Sequence, residues 1–188
     1  LAAAGYTVVV THPVEVTDNI TLFRLMGALF GRKPEAEALV EAFTAALAAV
    51  HAATRSWPVR SVLYLIWREP WMTISRDTYI ARMLALVNWL SLPAAAPVRY
   101  PVIELNEAVL AAADLVLFSS EPYRFGDKHV AAFRAAFPRH ADKARLIECL
   151  SDCDEQDYFE RGIELAIERH GIKFTPVDIS DLFAVEID

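Results

Sequence analysis

The sequence predicts an α/β protein built on an open parallel sheet with helices on both faces, a Rossmann-like arrangement preceded by one long helix. Three observations predict it. From Ser61 onward, short runs rich in Val, Leu, Ile and Phe alternate with segments whose apolar residues recur every three or four positions. Strands separated by helices need right-handed crossovers, and a parallel sheet covered on both sides satisfies them. The chain has 188 residues, 55% of them hydrophobic, which is enough to bury a core without disulfide staples. Residues 34–54 carry an unbroken helical pattern with no interior Gly or Pro, a rod of about 30 Å at 1.5 Å per residue.

The elements follow in order. Tyr6 to Thr11 (YTVVVT) is β-branched, lies between Gly5 and Pro13, and reads as a buried strand. Thr17 is placed to cap a helix with Ile20, Leu22, Phe23, Leu25, Met26 and Leu29 as its apolar residues, and Gly31 ends it. Pro34 sits in the first turn of the long helix, whose apolar positions are Leu39, Val40, Phe43, Ala46, Leu47, Val50 and Ala53. Ser61 to Ile66 (SVLYLI) reads as a strand, and Trp67 to Ser75 (WREPWMTIS) as a loop broken by Pro70. Ser75 is placed to cap a helix over Arg76–Leu90, and three prolines make residues 91–101 an exposed crossing segment. A short helix over Glu104–Ala112, a strand over Asp114–Ser119 and the loop Ser120–Gly126 (SEPYRFG) come next. A helix over Asp127–Phe137, a strand at Ala144–Ile147, a helix near Glu155–His170 and a strand at Ile172–Val177 complete the alternation.

Charge is unevenly spread. Residues 1–147 hold 15 basic and 13 acidic groups, a net of +2, whereas residues 148–188 hold 3 and 12, a net of −9. The overall −7 therefore belongs to the tail, most simply as a solvated acidic helix. An acidic chain with a near-neutral body is a poor partner for a phosphate backbone, so no nucleic-acid partner is expected. Cys149 and Cys153 lack the second pair or the added His ligands that a metal site of that kind requires, and a disulfide between them is possible but unforced. No His pair shares a helix face, and HExxH, GxSxG, GxGxxG and P-loop signatures are absent. No resident cofactor, no protein-ligated metal and no catalytic residue is expected.

The most unusual segments occupy the carboxyl ends of predicted strands, where open α/β sheets place their ligand crevice. Trp67, Trp71 and Met72 share the first of these loops with Arg68 and Glu69; Ser120, Glu121, Tyr123 and Phe125 share the second. Aromatic rings at such a place either cap the sheet as core or form the wall of a cleft for a bulky, partly apolar ligand. His12 closes the first predicted strand, and Glu104 and Glu107 lie one helical turn apart on an exposed face. A small enzyme using Glu121 or His12 as acid or base is the alternative reading of the same crevice, and a fragment that binds nothing is another.

RSVLYLIWREPWMTISRDTYIARMLALVNW and RYPVIELNEAVLAAADLVLFSSEPYRF resemble the second lobe of ABC-importer substrate-binding proteins of the helical-backbone type, the receptors for cobalamin, haem and ferric siderophores. LAAAGYTVVVTHPVEVTDNITLFRLMGALFGRK resembles the end of the first lobe. The resemblance implies a domain division of 1–33 as first-lobe remnant, 34–56 as interlobe helix and 57–188 as second lobe, with 148–188 an atypical acidic tail. Most of the first lobe is then expected to be missing. It further implies a metal chelate (corrinoid, haem or siderophore) held between lobes by Trp67, Trp71, Met72, Ser120, Glu121, Tyr123 and His12. A membrane permease would dock through Glu107, or alternatively Glu104. A monomer working in the periplasm, or as a cell-surface lipoprotein, is the corresponding expectation.

Overall fold

The computed structural model describes residues 4–5 and 7–147. The predicted elements at Glu155–His170 and Ile172–Val177, and both cysteines, lie outside them. The chain divides into two compact units after Ala49.

The first unit contains helix α1 (Asp18–Leu29) and the opening turns of helix α2 (Lys33–Thr54). Thr17 makes no side-chain cap; the Asp18 carboxylate instead accepts the N–H groups of Val14 and Glu15, each at 2.8 Å. Those two bonds hold its carboxyl below the usual carboxylate range. Gly31, at φ +70°, makes the tight turn into α2. The two helices approach so closely that a Cβ on Gly27 would collide with the Cβ of Ala36. Phe23 meets Phe43 edge to face at 5.6 Å, and Arg24 grips Glu37 through two bonds of 2.8 and 2.9 Å.

Residues 7–11 form no strand, contrary to the reading of YTVVVT, and Val8, Val9 and Val10 are exposed. A strand exists through its ladder, and among the described residues this segment joins none. Helix α2 has 22 residues and a mean hydropathy of 1.3 over its most apolar 18, so by length and composition it matches a membrane span; 11% of that window is buried.

The second unit is a five-stranded sheet. Strands β1 (Arg60–Trp67), β4 (Leu115–Ser119) and β5 (Ala144–Ile147) lie parallel in the order β1-β4-β5. The far side of β1 is shared by β3 (Trp89–Ser91), parallel at its start, and β2 (Met72–Thr73), antiparallel at its end. Helices α3 (Tyr79–Ala85), α4 (Glu107–Ala112) and α5 (Asp127–Ala136) and a 3-10 turn (Pro138–Lys143) connect them.

Strand periodicity sorts the core onto two faces. Leu63 and Leu65 of β1 join Val116, Phe118, Leu110 of α4 and Val130 and Phe133 of α5, whereas Val62, Tyr64 and Ile66 join Leu117, Ile74 and Ala81 of α3. Helices therefore cover both faces, as the fold class predicted. Two elements differ most from the sequence reading, besides β2 inside the expected loop Trp67–Ser75 and a helix α4 that starts at Glu107 rather than Glu104. The helix over Arg76–Leu90 shrinks to α3, because the chain turns at Asn88, at φ +60°, and passes into β3. Asn88 is held there by donating to the carbonyls of Thr54 (3.0 Å) and Trp57 (2.9 Å). The cap is Thr78, accepting the Ala81 N–H, while Ser75 accepts the Asp77 N–H. The second difference is in residues 99–103, which run beside 71–75 through Thr73 N–H to Pro101 O, Ser75 N–H to Arg99 O and Ile103 N–H to Trp71 O.

Candidate functional site: an aromatic wall at the strand ends

Two loops leave the carboxyl ends of β1 and β4, and both turn at a cis Xaa-Pro bond, Glu69-Pro70 and Glu121-Pro122. They are tied to the sheet and to each other. The Tyr123 N–H donates to Ile66 O at 3.3 Å, which lays the second loop across the end of β1. The Tyr64 hydroxyl donates to Ser119 Oγ (2.9 Å), and Ser119 Oγ donates to the Glu121 carbonyl (2.7 Å), a buried relay from β1 into the second loop. Ser120 is buried, and its N–H donates to Ile147 O of β5 at 2.9 Å.

Upon this frame the rings form one continuous array. Trp67 meets Tyr123 edge to face at 5.5 Å; Tyr123 meets Phe125 at 4.6 Å; Trp71 stacks on Phe125 at 6.0 Å, with 4° between planes. Phe118 lies beneath, edge to face with Trp71 (6.4 Å), Phe125 (5.3 Å) and Phe133 (5.4 Å). The array grades from core to surface: Phe118 is fully buried, Trp71 and Tyr123 are half-buried, and Trp67 is 40% exposed. Trp71 thus closes the core, whereas Trp67 of the same loop faces outward. The Arg68 guanidinium lies 5.9 Å from the Trp71 ring and pairs with Glu69 at 3.3 Å.

Met72 goes the other way. It pairs with Trp67 across the turn and packs, half-buried, against the core cluster of Tyr64 and Ile66, on the opposite face from Trp71. The Glu121 side chain is exposed beside the second loop. His12 is exposed in the first unit, where it lines an open depression of about 250 Å³ with Thr11, Pro13, Asp18, Thr21 and Leu22. Glu107 opens α4, beside the 3-10 turn entering β5, with Oε1 3.3 Å from His140 Nε2 and 3.8 Å from Arg139. Glu104 is exposed just ahead of that helix. Glu107 is thus engaged by the 3-10 turn, whereas Glu104 follows Ile103, whose N–H donates to the Trp71 carbonyl at 2.9 Å. Among the described residues no group of three or more His, Cys, Asp or Glu is placed to hold a metal ion.

The sequence reading overlooked His129. It contacts Tyr123 (5.6 Å) and Phe125 (5.5 Å), and its Nδ1 accepts the N–H of Gly126, the residue that caps α5, at 3.0 Å. Burial, with the nearby charges of Lys128 and Arg68, pushes its pKa below the ordinary value. The spacing Gly126-Asp-Lys-His129 at a helix start is the signal that marks it, since a side chain at the third helical position reaches back to the cap.

No family model and no curated protein matches the chain. Solved structures do. The periplasmic vitamin B12 binding protein BtuF of Vibrio cholerae superposes with a TM-score of 0.64 at 14% identity, over 78% of this chain and 57% of that one. A periplasmic heme (haem) binding protein from Pseudomonas aeruginosa gives 0.60 at 22%, over 76% and 52%. An ABC-type Fe3+-hydroxamate transport system from Saccharomonospora viridis gives 0.55 at 20%, over 81% and 55%. These neighbours are transport binding proteins rather than enzymes. The chain thus has the fold of periplasmic substrate-binding proteins for metal chelates, and it spans somewhat more than half the length of the ones it resembles.

Proposed function

We propose that this chain belongs to the substrate-binding component of an ABC importer and helps capture a metal chelate (a corrinoid, haem or ferric siderophore) for delivery to a membrane permease. The observation that carries the reading is the aromatic array at the carboxyl ends of β1 and β4, in a fold shared with binding proteins for such ligands. A flat, bulky and partly apolar ligand gains most from stacking and burial against rings, with a few polar groups to orient it.

In this reading Trp67 and Tyr123 form the ligand-facing wall, Trp71 supports it from below, and Ser120 and Glu121 supply the polar edge. Met72 stabilises the loop from the other face. Residues 1–33 are the end of a first lobe, with His12 as its contribution, 34–56 the interlobe helix and 57–188 the second lobe. Glu107, with Glu104 as the alternative, docks the permease. The protein acts as a monomeric receptor without catalysis or resident cofactor, in the periplasm or at the cell surface as a lipoprotein.

Titration with cyanocobalamin, haemin and a ferric siderophore, followed by tryptophan fluorescence and ligand absorbance, tests the reading. At least one probe is expected to bind at micromolar concentration, and Trp67→Ala to weaken it by about 10-fold or more, as truncation of a ring in a binding wall does. No spectral change with any of the three overturns it.

A further inference from the structure

We propose that Arg134 and Arg145 form an anion site on the second unit, and that its occupant is the acidic run of this same chain, residues 148–160. The contact is independent of the receptor reading above, and neither stands or falls with the other.

Two guanidinium groups converge on one carbonyl oxygen. Arg134, in the last turn of α5, donates through Nε to Ala141 O and through Nη2 to Ala144 O, each at 3.2 Å. Arg145, on β5, donates through Nη1 to the same Ala144 O at 2.9 Å and to Asp142 O. The two nitrogens on that oxygen are therefore about 6 Å apart at most. Both residues are exposed, and among the described residues neither makes an ion pair. A carbonyl offers each guanidinium a dipole but no charge, and like charges held this close repel. An anion beside them relieves the repulsion and meets planar donor edges that suit a carboxylate.

Neighbouring groups strengthen the field. Lys143 closes the carboxyl end of α4 by donating to Leu110 O (2.8 Å) and Ala113 O (2.7 Å), and it too has no ion-pair partner among the described residues. Arg139 differs, since Glu107 lies 3.8 Å from it. Residues 134–145 thus carry four bases against the single acid Asp142, which is exposed and pairs with none of them.

Charge and reach together name the occupant. Residues 148–160 (ECLSDCDEQDYFE) hold six acids and no base. They follow Ile147, which ends β5 only three residues beyond Ala144, about 10 Å along the strand. Asp152 and Asp154 come five and seven residues after Ile147, a reach of roughly 16 and 23 Å, enough to return to the arginines. Tethering gives these carboxylates a local concentration on the order of millimolar, so even exposed ion pairs become populated.

Cleavage of the full chain by a glutamyl endopeptidase, which cuts after Glu, reads the contact. Each rate is divided by that of a free peptide of residues 148–160 with the same substitutions. Salt is set at about 0.1 M and about 1 M, where the screening length falls from about 10 Å to about 3 Å. The wild type is expected to be cut about threefold or more slowly than the peptide at low salt, the worth of one or two exposed ion pairs, and at nearly the peptide's rate at high salt. Arg134→Gln/Arg145→Gln should lose the protection at low salt, whereas Arg134→Lys/Arg145→Lys, which keeps both charges, should retain most of it. Asp152→Asn/Asp154→Asn/Asp157→Asn, which leaves every Glu in place, should lose it as well. Melting curves monitor the fold, and if the Gln pair does not fold, the salt dependence and the Asn variant decide.

Equal relative rates in the wild type and the Gln pair overturn the inference, as does protection that persists at high salt. Protection that falls in the Gln pair but survives the three Asn substitutions undiminished assigns the arginines an anion from elsewhere and overturns the tail as their occupant.

Discussion

Replacing Ser119 by Ala strikes the relay that ties the second loop to the sheet, and its effect follows from three distances. Ser119 is fully buried; its hydroxyl accepts from Tyr64 OH at 2.9 Å, donates to the Glu121 carbonyl at 2.7 Å, and lies 3.4 Å from the Glu121 N–H. The change removes one oxygen, so cavity formation is a minor part of the cost. The larger part is that buried polar groups lose a partner water does not replace, about 1–3 kcal/mol for a site of this kind. A value near 2 kcal/mol corresponds to a fall in Tm of about 4–8 °C for a chain of this length. Urea denaturation should move the midpoint to lower concentration at constant slope, because the surface exposed on unfolding is unchanged. Since Tyr64→Phe removes the same bond from its other end, the double variant should cost less than the sum by about 1 kcal/mol. The Trp67 emission should shift in Ser119→Ala, because its partner Tyr123 sits on the loop that the relay anchors. A loss below about 0.5 kcal/mol, or strict additivity with Tyr64→Phe, refutes the idea that this relay holds the loop.

Two further outcomes follow from other parts of the molecule. Gly27→Ala should destabilise the α1–α2 pair by about 1–3 kcal/mol, because the added methyl meets Ala36 Cβ and the Arg32 carbonyl oxygen and the helices must part; circular dichroism melting reads it, and an unchanged Tm refutes the close approach. The His129 pKa is depressed in the folded state, chiefly by burial, so below pH 6.5 the unfolded chain takes up protons that the folded chain does not. Its contribution is therefore intact above the unfolded value and lost as pH falls toward the folded one. The slope of stability against pH just below 6.5 should flatten in His129→Gln, and an identical slope counts against the burial of a neutral ring.

How far the fold is legible in the sequence varies with the kind of signal. SVLYLI, LVLFS and ARLI read correctly as β1, β4 and β5, because a buried parallel strand is a short continuous apolar run whatever its neighbours. YTVVVT carries a stronger β-branched signal than any of these, yet residues 7–11 form no ladder. Propensity describes what a residue tolerates, whereas a strand needs a partner in space. β3 was hidden for the converse reason: Trp89–Ser91 continues a helical pattern, and only Asn88 bonding to the carbonyls of Thr54 and Trp57, more than 30 positions away, turns the chain out of it.

The candidate site divides along the same line. By itself the sequence determined that two aromatic loops stand at strand ends, since alternation of strand and helix dictates where each loop emerges. It also determined the chemical character of those loops. Only the tertiary structure decided that Trp71 turns inward onto Phe125 while Trp67 stays outside, that Met72 lies on the opposite face, and that Glu107 answers to Arg139 and His140 instead. It alone brought His129 against the rings of Tyr123 and Phe125. The physical reason is that periodicity and propensity act over a few neighbouring residues, whereas the direction a side chain takes is set by which strands pair and in which register.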